Sequence, residues 1–197
     1  MDVRTFSIQV RDNIELRFIR HDEAEDLFRL VDKNRAYLRQ WLPWVDAQTG
    51  PEVSRAHVVE RLEKAKAMEA LDLGIYLNEK LIGSIGFNRI VSLHKKGSIG
   101  YWISEMEEGK GIMTDCVRAL LNYGFNTLHL HRIRIQCSVN NRKSASIPER
   151  LGFTFEGIAR EDEFLYGRFE DSRVYSILDR EWSGHSPVLL KDTKISW

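Results

Sequence analysis

Along the chain the spacing of apolar positions changes period several times. Glu15 to Arg20 alternates apolar and polar residues and predicts a strand. From Asp22 to Asp32, Ala24, Leu27, Phe28 and Val31 fall at helical spacing and predict a first helix. The run NRAYLRQWLPWVD, from Asn34, predicts a short helix entering a loop, because Pro43 disfavours helix at the residue before it. Glu52 to Ala70 predicts a second long helix, with Val59, Leu62, Ala65 and Ala70 among many charges. Strand patterns follow at Leu73 to Leu77 and Leu81 to Asn88, joined by a turn at Asn78-Glu79-Lys80 that lacks glycine. Gly97 to Ser104 is a third strand candidate.

A strongly periodic helix comes next. Met113, Cys116, Val117, Leu120, Leu121, Gly124 and Leu128 share one face. Ile133, Ile135, Cys137 and Val139 then alternate with polar residues as a half-buried strand does. Ser144 to Leu151 predicts a short helix stopped by Gly152. Phe153 to Leu165 and Ser172 to Leu178 predict closing strands around a loop from Tyr166 to Asp171. Helices and strands mix without regular alternation, which predicts an α+β fold with a mixed, mostly antiparallel sheet of about seven strands and about four helices. One domain over 1–197 is expected, with its core at about 14–182 and a tail at 183–197 whose pattern predicts nothing.

Composition narrows the class. A hydrophobic content of 43% over 197 residues supports one core. Lys+Arg and Asp+Glu are 29 each, which argues against an electrostatic nucleic-acid binder. Cys116 and Cys137 imply no disulfide framework and show no zinc spacing. The first residues carry no apolar leader and no stretch is apolar enough to cross a bilayer, so the expectation is a cytoplasmic protein without membrane contact.

The stretch EEGKGIMTDC places Gly109-Lys110-Gly111 at the mouth of the periodic helix. A helix start exposes unpaired N–H groups and partial positive charge, so it suits an anion. Glycines let the backbone approach a ligand closely, and Lys110 adds charge. The same glycines also suit a plain tight turn. Walker A spacing is absent, and Thr114 stands where a dinucleotide-binding motif has its last glycine.

Together with SVNNRKSASIPERLGFTFEG, from Ser138 to Gly157, this stretch resembles the GNAT superfamily of acetyl-coenzyme A-dependent N-acetyltransferases. The family motif Q/R-x-x-G-x-G/A matches Glu108 to Met113, with Glu108 in place of Gln/Arg and Met113 in place of the small residue. NRAYLRQWLPW, IGYWI, GKGIMT, NNRKS and DEFLYGRFED resemble the bacterial ribosomal-protein N-terminal serine acetyltransferases within it, over Glu15 to Trp182. The resemblance implies acetyl-coenzyme A as co-substrate, held by Trp102, Ile103, Ser104, Glu108, Gly109, Lys110, Gly111, Ile112, Met113, Thr114, Asn141 and Ser144. It implies Glu163 as general base, Ser144 as proton donor to the departing sulfur, and a backbone N–H near Ile103 for the acetyl oxygen. Taken without it, Glu161-Asp162-Glu163 reads as a solvated edge, Ser144 as a helix cap with Ser146 its rival, and Asn141 as a turn residue. On a regular strand Glu161 would share the face of Glu163 and Asp162 would point away.

Trp41 and Trp44 either wall an acceptor pocket or pin their loop to the core. His129 and His131 lack an evident third ligand, so no metal is expected. Cys116 and Cys137 fall on apolar faces and are expected in the core. Arg132 and Arg134 read as a solvated strand face, with the coenzyme's 3′-phosphate or an acidic substrate as the alternative. The acceptor is expected to be a protein N-terminal α-amine, with a small amine such as a polyamine, aminoglycoside or amino-acid-like compound as the alternative. A non-catalytic acyl-coenzyme A-binding module is the reading left to the Glu108 and Met113 departures. Both a monomer and a homodimer fit the pattern.

Overall fold

At Asn78-Glu79 the chain reverses with both residues at positive φ, 48° and 66°. This is the backbone of a two-residue hairpin turn whose twist matches its strands. It joins β3 (Leu71–Leu77) to β4 (Lys80–Val91) without glycine. The computed structural model describes residues 5–184 and the strand at 190–191. Before this hairpin come β1 (Ser7–Arg11), β2 (Ile14–Arg17), α1 (Ala24–Lys33), α2 (Arg35–Leu38) and α3 (Pro51–Lys66). After it come β5 (Lys96–Ile103), α4 (Ile112–Asn126), β6 (Arg132–Ser138), α5 (Arg142–Arg150), β7 (Thr154–Leu165), β8 (Arg168–Leu178) and β9 (Leu190–Lys191).

The strands form one α+β sheet in the order β7-β8-β6-β5-β4-β3-β2-β1-β9. Among the described residues there are nine strands against an expectation of about seven, and five α-helices against about four. The extra strands are β1, whose short SIQVR alternation is hidden among polar residues, and β9 in the tail. The expected loop from Tyr166 to Asp171 shrinks to a turn at Tyr166-Gly167, with φ of 47° and 93°. The segment after it belongs to β8, because Phe169 pairs with Phe164 across the hairpin and their ring centroids lie 5.1 Å apart. Charge along this exposed edge conceals the strand from an apolar count.

Alternation of side chains across the central strands feeds two cores. Tyr101 and Ile103 pack with α4 and α5, whereas Trp102, Tyr76 and Leu81 pack under α1, α2 and α3. Helix α4 is buried nearly all round, and the Trp182 indole N–H donates to Asn122 Oδ1 at 2.7 Å on its far side.

One pairing differs from the rest. β5 and β6 run parallel, in register only from Lys96↔Arg132 to Ile99↔Ile135. Beyond Gly100, β5 stays with β4 as far as Gly83↔Ile103, and β6 stays with β8 as far as Ser138↔Ser172. The sheet therefore opens into a V at its centre. Ser104 N–H donates to Ile82 C=O at 2.8 Å, which makes Gly83↔Ile103 a non-hydrogen-bonded pair and turns the Ile103 N–H toward the gap.

Gly86 lies in the floor of this region, opposite Asp72 on one side and Gly100 on the other. A Cβ there would sit 1.9 Å from the Leu71 carbonyl oxygen, a backbone atom that cannot rotate away. Gly86→Ala is expected to lower unfolding free energy by about 2 kcal/mol or more in denaturant titration; an unchanged midpoint would show that β3 and β4 separate freely here.

Candidate active site

The loop leaving β5 turns twice through left-handed backbone, at Gly109 (φ 72°) and Gly111 (φ 76°). A side chain at either would strain it, which is why the sequence places glycine there. Gly111 caps α4, and the first helical bond runs from Asp115 N–H to Gly111 C=O at 3.2 Å. The N–H groups of Ile112, Met113 and Thr114 precede that bond and point out of the helix end. Arg11, Arg118 and Arg150 ring the loop, with Asp115 and the Thr114 hydroxyl fixing them: Arg11 Nε donates to Asp115 at 2.7 Å, Arg118 at 2.6 Å, and Arg150 donates to Thr114 Oγ1 at 2.7 Å. Backbone donors and arginines together make an anion cradle.

Across the V stands the start of α5. Asn141 Oδ1 accepts from Ser144 N–H at 3.0 Å and caps this helix. Ser144 Oγ–H donates to Tyr101 O at 3.2 Å, and Tyr101 O–H donates to the Ser144 carbonyl at 3.1 Å, so the two arms meet here. Ser146 instead donates to Lys143 C=O at 2.8 Å.

Glu163 lies on the same cleft, of about 1220 Å³, as the loop and Ser144. β7 is not regular here. Ala159 pairs with Ser172 and Glu163 with Glu170, so β7 uses four positions where β8 uses two. The bulge sits at Glu161, with φ of 50° and its N–H donating to Asp171 Oδ1 at 2.8 Å. The expected shared face of Glu161 and Glu163 is thereby corrected: Glu161 is exposed, while Glu163 is half-buried. The Gln136 amide donates to Asp162. Among the described residues no donor reaches the Glu163 carboxylate. Burial, with Asp162 and Glu170 beside it, raises its pKa above the ordinary carboxylate range. Glu170, its cross-strand partner, is by contrast held by Arg168 at 2.5 Å and Asn140 at 3.1 Å.

Of the expected site residues, Trp41, Trp44, Trp102, Ile103, Glu108, Gly109, Gly111, Ile112, Met113, Thr114, Asn141, Ser144 and Glu163 all line this cleft. Ser104 and Lys110 lie off its wall. The Ser104 hydroxyl donates to the buried Asn34 at 3.2 Å, and Lys110 pairs with Glu107 at 2.8 Å. Trp44 stacks obliquely on Trp102 at 6.1 Å and also packs on the α1–α3 core, so its wall and anchor roles coincide. The Glu108 carboxylate is already paired, accepting from Tyr37 O–H and from Lys143 Nζ at 2.6 Å. Met113 is buried in the main core, which absorbs its bulk.

Burial pushes the Cys116 thiol up to about 12 and raises that of Cys137, so neither offers a thiolate near neutrality. Arg132 is tied to Glu156 and Ser176, away from the cleft. Among the described residues no group of three or more His, Cys, Asp and Glu could hold a metal ion. Arg11 and Arg118 carried no signal in the sequence, since β1 was hidden and an arginine on a helix is usually only solvated; Arg150 stood in a helix too rich in arginine to be mere core.

A family model described as an acetyltransferase (GNAT) domain matches residues 13–154. The chain belongs to the GNAT acetyltransferase family. It is 32% identical over 178 residues to the ribosomal-protein-serine acetyltransferase of Escherichia coli (strain K12), covering 90% of this chain and 99% of that protein. A structure of RimL, a ribosomal L7/L12 α-N-protein acetyltransferase in complex with coenzyme A, superposes with a TM-score of 0.85 at 31% identity, over 87% of this chain and 97% of that one. The microcin C7 self-immunity acetyltransferase MccE, in complex with acetyl-CoA and AMP, follows at 0.82 and 29%, over 86% and 94%. In this GNAT chain the helix start carrying Ser144 depends on one cap. Asn141→Ala is expected to cost about 1 kcal/mol of stability in chemical unfolding, and Asn141→Asp much less; equal losses would show that the side-chain cap is not what holds this turn.

Proposed function

We propose that this enzyme transfers the acetyl group of acetyl-coenzyme A to the N-terminal α-amine of a protein, a ribosomal protein by the likeness of its relatives. The chain's own residues fit the coenzyme. The amides from Gly109 to Thr114 and the neighbouring arginines suit its pyrophosphate, and the free strand edges of the V suit an extended pantetheine arm.

The observation that carries the catalytic reading is Glu163, a half-buried carboxylate with no donor among the described residues, lining the same cleft as the cradle. An α-amine titrates near roughly 8, so a carboxylate acting directly or through one water suffices as base. The amine nitrogen bonds to the acetyl carbon as its proton passes to Glu163. The Ile103 N–H supports the developing oxyanion. The C–S bond breaks, sulfur takes the Ser144 hydroxyl hydrogen, and serine regains one from water as Glu163 returns the amine proton to solvent. Trp41 and Trp44 wall the acceptor side. A ribosomal acceptor places the reaction in the cytoplasm.

Intact-mass assays with acetyl-coenzyme A test the acceptor. Acetylation of peptides beginning with Ser or Ala is expected, and acetylation of spermidine or free amino acids alone would move the function to small amines. Glu163→Gln is expected to lower kcat by about 100-fold or more while coenzyme affinity holds. The raised Glu163 pKa also sets a pH dependence. The wild-type acidic limb of kcat/KM is expected above the ordinary carboxylate range and is lost in the variant. The folded state holds this proton more tightly than the unfolded chain, so ionisation removes stability as pH rises through the folded value. The Glu163→Gln Tm at neutral pH should therefore equal or exceed wild type; a lower Tm with unchanged kcat would make Glu163 structural.

A further inference from the structure

Helix α5 contains Pro148, four residues after Ser144. In an α-helix the Ser144 carbonyl would accept the N–H of residue 148, and proline has none. That carbonyl is taken instead by the Tyr101 hydroxyl from the opposite arm of the V, at 3.1 Å. The same Tyr101 oxygen accepts the Ser144 hydroxyl at 3.2 Å. One phenol thus touches the carbonyl and the hydroxyl of one serine, and burial keeps it protonated by raising its pKa.

Cys137 is a further neighbour of the Ser144 hydroxyl, and between Tyr101 and Ser144 themselves the geometry allows two hydrogen arrangements without moving a heavy atom. In the first, Tyr101 donates to the carbonyl and Ser144 donates to Tyr101, so the serine hydrogen points away from the gap. In the second, Tyr101 turns its O–H to Ser144 Oγ, and the serine hydrogen is released toward the cleft. The carbonyl then loses its donor, which favours the first arrangement at rest. Departure of a thiolate supplies a strong acceptor and favours the second.

We propose that Tyr101 is a positioning residue for the reaction, which directs the Ser144 hydroxyl hydrogen to the departing sulfur, with the carbonyl freed by Pro148 as its resting partner. Tyr101 keeps its own proton throughout; the hydrogen given to sulfur is that of Ser144. The proposal rests on the reading of Ser144 as donor to the sulfur. It accounts for a tyrosine whose only hydroxyl partners among the described residues belong to that serine.

The test compares Tyr101→Phe, Ser144→Ala and their combination, each with and without Pro148→Ala. The Pro148→Ala background gives the Ser144 carbonyl a helical donor, so any remaining effect of Tyr101 acts through the hydroxyl. The readouts are release of coenzyme A followed by mass, with a Ser-initiated peptide and with water alone as acceptor, and coenzyme A affinity by calorimetry. Tyr101→Phe is expected to lower the rate about 10-fold in both backgrounds, to leave affinity within about 3-fold, and to add nothing to Ser144→Ala. A loss that disappears with Pro148→Ala would make Tyr101 only the donor to that carbonyl and overturn the proposal. A full rate in Tyr101→Phe beside a slow Ser144→Ala would overturn it too. Full rate in Ser144→Ala would remove the Ser144 reading itself.

Discussion

The parallel pairing of β5 with β6 stops at Ile99↔Ile135, and the rest of the site depends on that stop. Each strand keeps its outer antiparallel neighbour, so the sheet stays intact while its centre parts. The parting leaves backbone N–H and C=O groups facing each other across a gap. Such groups need partners. In a central sheet position they make a polar slot with two rigid walls, which an extended amide-bearing chain can fill as a further strand would. Helices α4 and α5 start beside the two walls, which brings one helix end to the anion cradle and the other to Ser144.

The same architecture decides which charged groups along the cleft are paired. At one end, α4's unpaired amides stand among Arg11, Arg118 and Arg150. Elsewhere on the cleft wall, Glu163 stands beside Asp162 and Glu170 with no donor among the described residues. Glu170, one strand away, has the same chemistry and the opposite fate, because Arg168 and Asn140 satisfy it. A carboxylate held by donors is a weak base, and one left without them is a stronger base. The β7 bulge separates the two roles, since it displaces Glu161 and leaves Glu163 on the cleft wall.

The two departures from the family motif have local explanations. Met113 spends its bulk in the core and leaves only its backbone to the loop. Glu108 accepts from Tyr37 on α2 and Lys143 on α5, so the acid beside the cradle is already paired. The Lys143 side chain is 75% exposed, so this ion pair orients the carboxylate more than it stabilises the fold.

The elements that the residue pattern determined by itself were those with strong local period. They include α4, β6, the β3–β4 hairpin and the Gly-Lys-Gly helix start, where positive φ and missing Cβ atoms are properties of the residues themselves. Most of the residues lining the cleft at this loop were legible for the same reason. Tertiary structure alone decided β1, the strand from Arg168, the bulge at Glu161, the arrival of Arg11 at the cradle, and the bridge between Tyr101 and Ser144. Each of these depends on strand order and register, which bring together residues such as Arg11 and Asp115, 104 positions apart. Side-chain period repeats every two residues on a strand, but a bulge resets it, and no local pattern states which of three consecutive acids will then face the cleft without a partner.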